Sequence, residues 1–318
     1  MKQLREITKV RIEASFDLNT GYRAVVQKGN VGTKYIYALQ LRKSQHETYV
    51  LRGNRKKVAK PILILTNQAA GHTQTWEYAG RAGQWFIGTK PGKGNWAKQI
   101  ARVDLGVVSK NHKSNTDFPR LAYLNRAGKT SFAGDLMTHA EVAVSPDYRQ
   151  LLLMTLENKQ KVHFTIFDLK KINAELDTIG SDFISLEDFP YLESFTISNF
   201  YGIGEEAVVN SIQGIDLDNE GNIYLSSQRA PQLSDGKWKL HHKQIIKIPH
   251  DARSESLESN WQAVNLSKIS KLDLAGKHSE LEGIQIIGED HCYLTVAYHE
   301  EVDGSNKTVL NKIYKLSW

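Results

Sequence analysis

Five carboxyl or carboxamide side chains recur along the chain, each inside a short segment that reads as a strand. They are Glu13, Gln74, Glu141, Gln213 and Glu282. A Glu or Gln returns at intervals of roughly 60 to 70 residues, a regularity typical of a structural array. His72 and His139 stand two residues before their markers and share a strand face with them, because side chains alternate along a strand. Carboxyls and imidazoles gathered in this way can bind a polar ligand or transfer protons.

The elements that must position these side chains repeat with them. A second apolar or aromatic run begins about ten residues after each marker, as at Leu151–Met154 and Cys292–Val296. A third run, rich in β-branched and aromatic residues, follows in every unit. Five antiparallel meanders of this kind predict an all-β fold, a five-bladed β-propeller with three to four strands in each blade.

The predicted blades lie within one domain, because no Gly/Ser-rich or Pro-rich linker divides residues 1–318. Their approximate bounds are residues 9–66, 71–125, 137–199, 210–267 and 277–318. The last unit ends at Trp318 on its third strand, and few residues precede the first marker strand. We therefore expect a three-stranded last blade, or one completed only partly by Lys2–Thr8. A long N-terminal strand paired with the third strand of this unit would contradict that expectation.

The innermost strand of each propeller blade lines the central channel, so the five markers are predicted to form a ring. With His72 and His139, this ring is the candidate ligand-binding site. Ring closure would make Glu13 and Glu282 neighbours, and each negative charge would raise the pKa of the other carboxyl. The alternative is a structural ring that hydrogen-bonds neighbouring backbones. Catalysis is a third interpretation, since glycoside hydrolysis needs two carboxyls at a set separation that sequence spacing does not fix, and no catalytic residue is assigned.

The net charge of +6 favours anionic partners without specifying one. The densest basic segment, Arg52–Lys60, is interpreted as a solvated loop. The other lysines are scattered rather than interleaved with exposed aromatics, so no nucleic-acid partner is predicted. Most tryptophans are expected to be buried between blades, namely Trp76, Trp85, Trp96 and Trp261, while Trp238 is expected to reach solvent.

No metal or cofactor is predicted from the sequence. The single cysteine, Cys292, excludes an internal disulfide and makes a cysteine-based metal site implausible. Asp216–Gly221 resembles the start of a calcium loop, but Ser227 stands at its twelfth position, so a hairpin turn is the better interpretation. No segment has the apolar length of a signal peptide or a transmembrane span.

Several longer stretches resemble the helveticin J-type large (class III) bacteriocins of lactic acid bacteria, and the similarity spans nearly the whole chain. The stretches are GHTQTWE at Gly71–Glu77, GQWFIG at Gly83–Gly88, WAKQIARVDL at Trp96–Leu105, SNTDFPRL at Ser114–Leu121, MTHAE at Met137–Glu141, NSIQG at Asn210–Gly214, HHKQI at His241–Ile245 and HCYLTVAYH at His291–His299. The resemblance implies a secreted or cell-surface antibacterial protein that acts on related bacteria and lacks a recognisable signal peptide. It brings no catalytic residues.

Together, these observations lead to the hypothesis of a non-enzymatic bacteriocin that binds the bacterial cell envelope. The expected partner is a glycan or an anionic, teichoic-acid-like polymer, and an immunity protein is a further candidate. One alternative is a wall-degrading glycosidase that uses the channel carboxylates. Another is a surface adhesion protein that binds cells without killing them.

Overall fold

Apolar runs in this chain are long because both faces of a middle strand are buried. In the computed structural model, which describes residues 4–158, 160–202 and 207–318, the strand Gln150–Glu157 lies between two hydrophobic clusters. Leu151 and Leu153 pack into one cluster, and Leu152 and Met154 pack into the other. Successive side chains of a strand point to opposite faces, so an uninterrupted apolar run predicts a sheet that is covered on both sides.

Five four-stranded antiparallel sheets form the blades of a five-bladed β-propeller, as predicted. From the axis outward, blade I contains Val26–Val31, Ile36–Arg42, Glu47–Asn54 and Lys57–Thr66, and blade II contains Trp76–Tyr78, Gln84–Pro91, Ala97–Asp104 and Arg120–Ala122. Blade III contains Met137–Val144, Gln150–Glu157, Lys161–Asp168 and Glu193–Ile197, and blade IV contains Gly214–Leu217, Ile223–Ser227, Gln244–Ile248 and Gln262–Asn265. Blade V contains His278–Gly288, His291–Val302, Ser305–Ser317 and Arg11–Asp17.

Shorter elements decorate the blades. Three blades carry a parallel strand at their outer edge: Asn111–His112 on blade I, Phe183–Ser185 on blade II and Arg5–Ile7 on blade IV. A separate hairpin pairs Gln232–Ser234 with Lys237–Lys239. The helix Leu169–Thr178 follows Asp168, whose carboxylate accepts hydrogen bonds from the N–H groups of Lys170 and Lys171. Short 3₁₀ segments lie at Asn67–Ala69, Lys93–Asn95, Asn115–Asp117, Leu124–Arg126, His250–Ala252, Glu255–Asn260 and Ser270–Leu272.

The ring closes through the two ends of the chain, and here the sequence-based expectation is wrong. Arg11–Asp17 pairs antiparallel with Ser305–Ser317, so the last blade has four strands and not three. The described part of Lys2–Thr8 joins blade IV instead, through Arg5–Ile7. Ser305–Ser317 is 13 residues long, and an unpaired edge of that length would expose a row of backbone donors and acceptors. Pairing with the N-terminal strand covers the part of that edge from Lys312 to Ser317.

The hydrophobic core is divided among the interfaces between neighbouring blades. One cluster joins blades III and IV, for example, through Phe164 and Ile246, and another joins blades I and V through Val26 and Ile313. The inner strand of every blade also contacts the inner strands of both neighbours. Each blade is therefore held on two sides, and the axis is lined by five inner strands. No helix of the described residues is long and apolar enough to cross a membrane.

Candidate functional site in the axial channel

The five inner strands run in the same direction along the axis, so their two ends form two different mouths. The starts of the strands enclose a cavity of about 390 Å³, which we call the ring mouth; its lining includes Gln27, His72, His139, Gln213 and Glu282. The ends of the strands enclose a cavity of about 480 Å³, which we call the aromatic mouth; its lining includes Tyr35, Tyr37, Tyr78, Trp85 and Tyr148. A buried layer of side chains separates the two.

Glu141 is the most heavily engaged of the predicted ring residues. Its Oε1 atom accepts a hydrogen bond from the N–H of Gln74 at 2.8 Å and lies 3.0 Å from His139 Nε2. Its Oε2 atom accepts from the hydroxyl of Thr73 at 3.0 Å and from that of Thr75. The side chain is 1% exposed. Because donors surround it, Glu141 acts as a hydrogen-bond acceptor that links blade III to blade II.

The carboxamides of the ring continue this network across the channel. Gln74 Nε2 donates to Gln213 Oε1 at 3.1 Å. Gln213 Nε2 in turn donates to the carbonyl of Gln228 at 2.8 Å and to Glu280 Oε1 at 3.3 Å. The other oxygen of Glu280 lies 2.8 Å from His299 Nε2. Blades II, IV and V are thus linked by side chains that meet at the axis.

Glu282 differs from its neighbours because it is buried without a complete set of partners. The residue is 2% exposed, and its Oε2 atom has no hydrogen-bond partner among the described residues. Burial, together with the nearby charge of Glu280, raises the pKa of the Glu282 carboxyl well above its ordinary value. The protonated form is therefore favoured, and this group lines the ring mouth as a donor as well as an acceptor.

Two histidines and a tryptophan form the aromatic part of the ring mouth. The Trp96 ring lies 3.8 Å from the His72 ring, nearly parallel at 9°, and 3.7 Å from the His139 ring at 39°. Burial, and secondarily His139, lowers the pKa of His72 to about 4. The sequence placed Trp96 between blades, yet it lines this mouth. The sequence did contain a signal for this position. The first and third strands of a meander run in the same direction, so a residue next to the start of the third strand, such as Trp96, lies at the same mouth as the start of the first strand.

Glu13 does not belong to this ring, which corrects both the predicted site and the predicted carboxyl pair with Glu282. It lies on the outermost strand of blade V, where its Oε2 atom is 2.8 Å from Lys315 Nζ and 3.1 Å from His291 Nε2. Hydrogen bonding from Lys315 lowers the pKa of Glu13 to about 2. Gln27 lines the ring mouth from blade I instead, with Oε1 3.3 Å from His72 Nε2.

The layer between the two mouths contains an ion pair that the sequence did not reveal. Lys28 Nζ lies 2.5 Å from Glu77 Oε1 and donates to the carbonyl of Ile284 at 2.5 Å. Asp216, which the sequence placed in a turn, sits on the inner strand of blade IV, and its two oxygens accept from the N–H groups of Leu217 and Ile286. These groups come from different blades, so no short sequence motif contains them together.

Burial dominates the electrostatics of this layer. It raises the pKa of Asp216 well above its ordinary value, and the nearby Glu77 carboxylate raises it further. Burial also raises the pKa of Glu77, although Lys28 opposes that rise. Burial lowers the pKa of Lys28, but the carboxylates of Glu77 and Asp216 outweigh it, and the net pKa is raised. The layer is thus best described as a Lys28–Glu77 ion pair beside Asp216, whose raised pKa favours the protonated form.

Close packing at the axis depends on glycine. A Cβ atom at Gly283 would lie 2.6 Å from Lys28 Cδ, closer than real Cβ contacts allow. Gly283 therefore leaves the space that the Lys28 side chain occupies between blades I and V. In the described part of the chain, no group of three or more His, Cys, Asp and Glu side chains is arranged to hold a metal ion.

A family model described as bacteriocin helveticin-J matches residues 6–318. The chain is 59% identical to bacteriocin helveticin-J of Lactobacillus helveticus over 335 aligned residues, covering 100% of both chains. Among solved structures, the tail fibre of Staphylococcus aureus phage P68 has a similar fold, with a TM-score of 0.52 and 16% identity; the match covers 97% of this chain and 53% of the fibre chain. An exo-β-1,3-galactanase from Phanerochaete chrysosporium gives a TM-score of 0.48 and 8% identity, over 96% of this chain and 64% of the galactanase.

Proposed function

The chain belongs to the bacteriocin helveticin-J family, and we propose that it is a secreted antibacterial protein that binds a neutral glycan on the envelope of related bacteria. The antibacterial part is supported by the family, since the matched relative is itself named a bacteriocin. The binding part is supported by the chemistry of the ring mouth. In this proposal the protein holds the glycan and does not cleave it.

The observation that carries the binding proposal is the free oxygen of Glu282. This Oε2 atom lies in a buried side chain that lines the ring mouth, and it has no hydrogen-bond partner among the described residues. Leaving a buried polar atom unpaired costs about 1–3 kcal/mol, and a ligand hydroxyl would remove that cost. Because its raised pKa favours the protonated carboxyl, Glu282 suits a neutral, hydroxyl-rich ligand better than a cation.

The engagement of the other carboxyls favours binding over hydrolysis. Glycosidases of the common type use two carboxyls, one as an acid and one as a nucleophile or base. Glu141 is held by donors on both oxygens, and Glu280 is paired with His299. Both carboxyls are thus held in the ring network by protein partners, and in this proposal neither attacks a sugar nor activates water.

Long-range attraction to the cell wall is supported by the charge of the protein. The net charge is +6, and the turn between the two outer strands of blade I exposes Arg55, Lys56 and Lys57. Such charges draw the protein towards anionic wall polymers without selecting one of them. This contribution weakens as salt screens exposed charges.

Wall binding and cell survival, measured on the same strains, test the proposal. The purified protein is incubated with walls of related lactobacilli, and surviving cells are counted in parallel. We expect Glu282→Ala to weaken wall binding about ten- to hundredfold, because a buried hydrogen-bonding group contributes about 1–3 kcal/mol. Killing should fall with it. Glu301→Ala, an exposed change in blade V, should retain both, and circular dichroism verifies that each variant folds.

Each alternative has its own signature in this experiment. Wall binding that is unaffected by Glu282→Ala would contradict the ring mouth as the glycan site. Release of reducing sugar from purified walls, lost in Glu282→Ala, would establish a glycosidase in place of a binding protein. Wall binding with full survival of the cells would identify an adhesion protein.

A further inference from the structure

The aromatic mouth lies at the opposite end of the axis from the ring mouth, and the proposed function uses none of its side chains. Its volume of about 480 Å³ falls within the range of about 300–1,000 Å³ common for small-ligand sites. The cavity is lined by aromatic rings on one side and by the buried charged layer at its floor. A pocket of this composition is a candidate binding site in its own right.

The aromatic side chains form a continuous arc. The ring centroids of Tyr37 and Trp85 are 4.6 Å apart, those of Trp85 and Tyr78 are 5.4 Å apart, and those of Tyr78 and Tyr148 are 5.2 Å apart. Trp85 is stacked on Trp76 at 4.7 Å with an interplanar angle of 3°. Trp76 is fully buried, whereas Tyr148 is 49% exposed. The arc therefore begins in the core and ends with ring surface open to the cavity.

Tyr148 is held in an unusual backbone conformation. Its φ angle of 59° lies in the left-handed region, which residues with a bulky side chain rarely adopt. The turn that contains it is fixed by a 2.8 Å hydrogen bond from the Tyr148 N–H to the Ser145 carbonyl. A Cβ atom at Gly80 would approach Tyr148 Cβ to 2.8 Å, so the glycine makes room for this conformation. Strained backbone of this kind is concentrated at binding sites.

Polar groups at the floor and rim complete the cavity. Glu77 and Asp216 line it from blades II and IV, and Asn30 lines it from blade I. All three residues are largely buried, at 4%, 2% and 6% exposure. The Lys28–Glu77 ion pair neutralises one carboxylate, and the raised pKa of Asp216 favours its protonated form. The floor thus offers hydrogen-bonding groups with little net charge.

We propose that the aromatic mouth is a second binding site, which takes one neutral pyranose sugar ring. A pyranose has an apolar face of C–H groups, which fits against the rings of Tyr78 and Tyr148, and an edge of hydroxyl groups, which fits the polar floor. A purely apolar ligand would make no use of the polar floor formed by Glu77, Asp216 and Asn30, and an anion would gain little from the electron-rich faces of the aromatic rings. Neutral sugars combine both requirements.

Fluorescence titration with free sugars tests this site apart from the ring mouth. The titrated protein carries Trp96→Phe, which removes the tryptophan that lines the ring mouth. Of the five tryptophans that remain, Trp85 lines the aromatic mouth and Trp76 is stacked on it, so these two are the reporters of the site. The probes are glucose, galactose and N-acetylglucosamine. We expect a saturable change for at least one probe, with about tenfold weaker binding in Tyr148→Ala, because a stacked aromatic ring is lost. Tyr148→Phe should restore binding, and the exposed Tyr191→Ala should leave it unchanged.

The outcomes separate this proposal from the proposed function. Absence of a saturable response to all three sugars overturns the aromatic site, as does a Tyr148→Ala titration that superimposes on that of the parent protein. A thermal melt of Tyr148→Ala close to that of the parent excludes misfolding as the cause of lost binding. Wall binding by the Glu282 variants is a different measurement, so failure of the ring mouth leaves this test intact.

Discussion

The two mouths of the channel are built from the same five strands, yet their chemistry differs. The ring mouth is bordered by side chains that mostly hydrogen-bond one another, as Glu141, Gln74 and Gln213 do. The aromatic mouth leaves ring surface uncovered, most clearly at Tyr148. Between them, Lys28 and Glu77 form a buried ion pair. The propeller thus places a hydrogen-bonded network, with one unpaired oxygen at Glu282, at one end of the axis and an aromatic surface at the other.

The comparison teaches that proximity to the axis is not by itself evidence of a binding site. Glu141 is central and nearly inaccessible, because donors from blade II and its own strand occupy it. Glu282 is equally buried but retains an unpaired oxygen. A candidate ligand contact is therefore marked by unsatisfied bonding capacity in a cavity wall, and not by its position in the repeat.

The largest expected effect comes from breaking the layer between the mouths. Lys28→Met leaves the carboxyls of Glu77 and Asp216 without their buried cation. We expect a loss of about 3–5 kcal/mol in the free energy of unfolding, the usual cost of removing one partner of a buried ion pair. This loss of stability should increase as the pH rises. Without Lys28, each carboxyl must either ionise in the interior, which is unfavourable, or stay protonated, which becomes less favourable as the pH increases. Denaturant unfolding at several pH values measures it.

The matched control for this change is Lys60→Met, which removes an exposed lysine from blade I. It should alter stability little, since isolated surface charges contribute little. If Lys28→Met and Lys60→Met had equal free energies of unfolding, the Lys28–Glu77 ion pair would not make the predicted contribution to stability.

A second prediction concerns His72, which lines the ring mouth. None of the described residues that line the aromatic mouth is a histidine, so the prediction sharpens the contrast between the mouths. The pKa of His72 is lowered from 6.5 to about 4, so the unfolded chain binds more protons in that interval. Wild-type stability should therefore fall as the pH drops from 6.5 to about 4, by up to about 3 kcal/mol from this residue. His72→Gln should remove that part of the acid sensitivity in unfolding experiments, and the exposed His46→Gln should not. An unchanged pH profile in His72→Gln would contradict the burial of this ring.

The smallest effects distinguish Glu282, inside the ring mouth, from Glu13, outside it. The raised pKa of Glu282 means that stability is lost as the pH rises above 4.5. The stability of Glu282→Gln should therefore increase relative to that of the wild type in the same direction. The pKa of Glu13 is lowered to about 2, so its contribution is present above 4.5 and is lost towards acid. Glu13→Gln should therefore lower the melting temperature near neutral pH. The decrease should be small, because the carboxyl is exposed. Melting curves that shift in the same direction with pH for both variants would contradict their different surroundings.

Much of the fold was predictable because local patterns repeat. The run Leu151–Met154 and its equivalents mark the second strands. Within the site, Gln74, Glu141 and Gln213 do meet at the axis, and His72, His139 and Glu282 line one mouth. Their function as ligand contacts stays a prediction. Trp96 was missed because burial was assumed for any tryptophan next to a strand.

Local residue patterns were enough to predict the number of blades and the inner position of four of the five markers, because every blade repeats a similar succession of strands. The closure of the ring could be read only from the folded structure. Arg11–Asp17 was assigned to the wrong blade, and Glu13 with it, since pairing between the chain ends depends on which distant edge remains open. The same applies to the Lys28–Glu77 pair and to the aromatic arc, because their members come from different blades and meet only when the sheets pack around one axis.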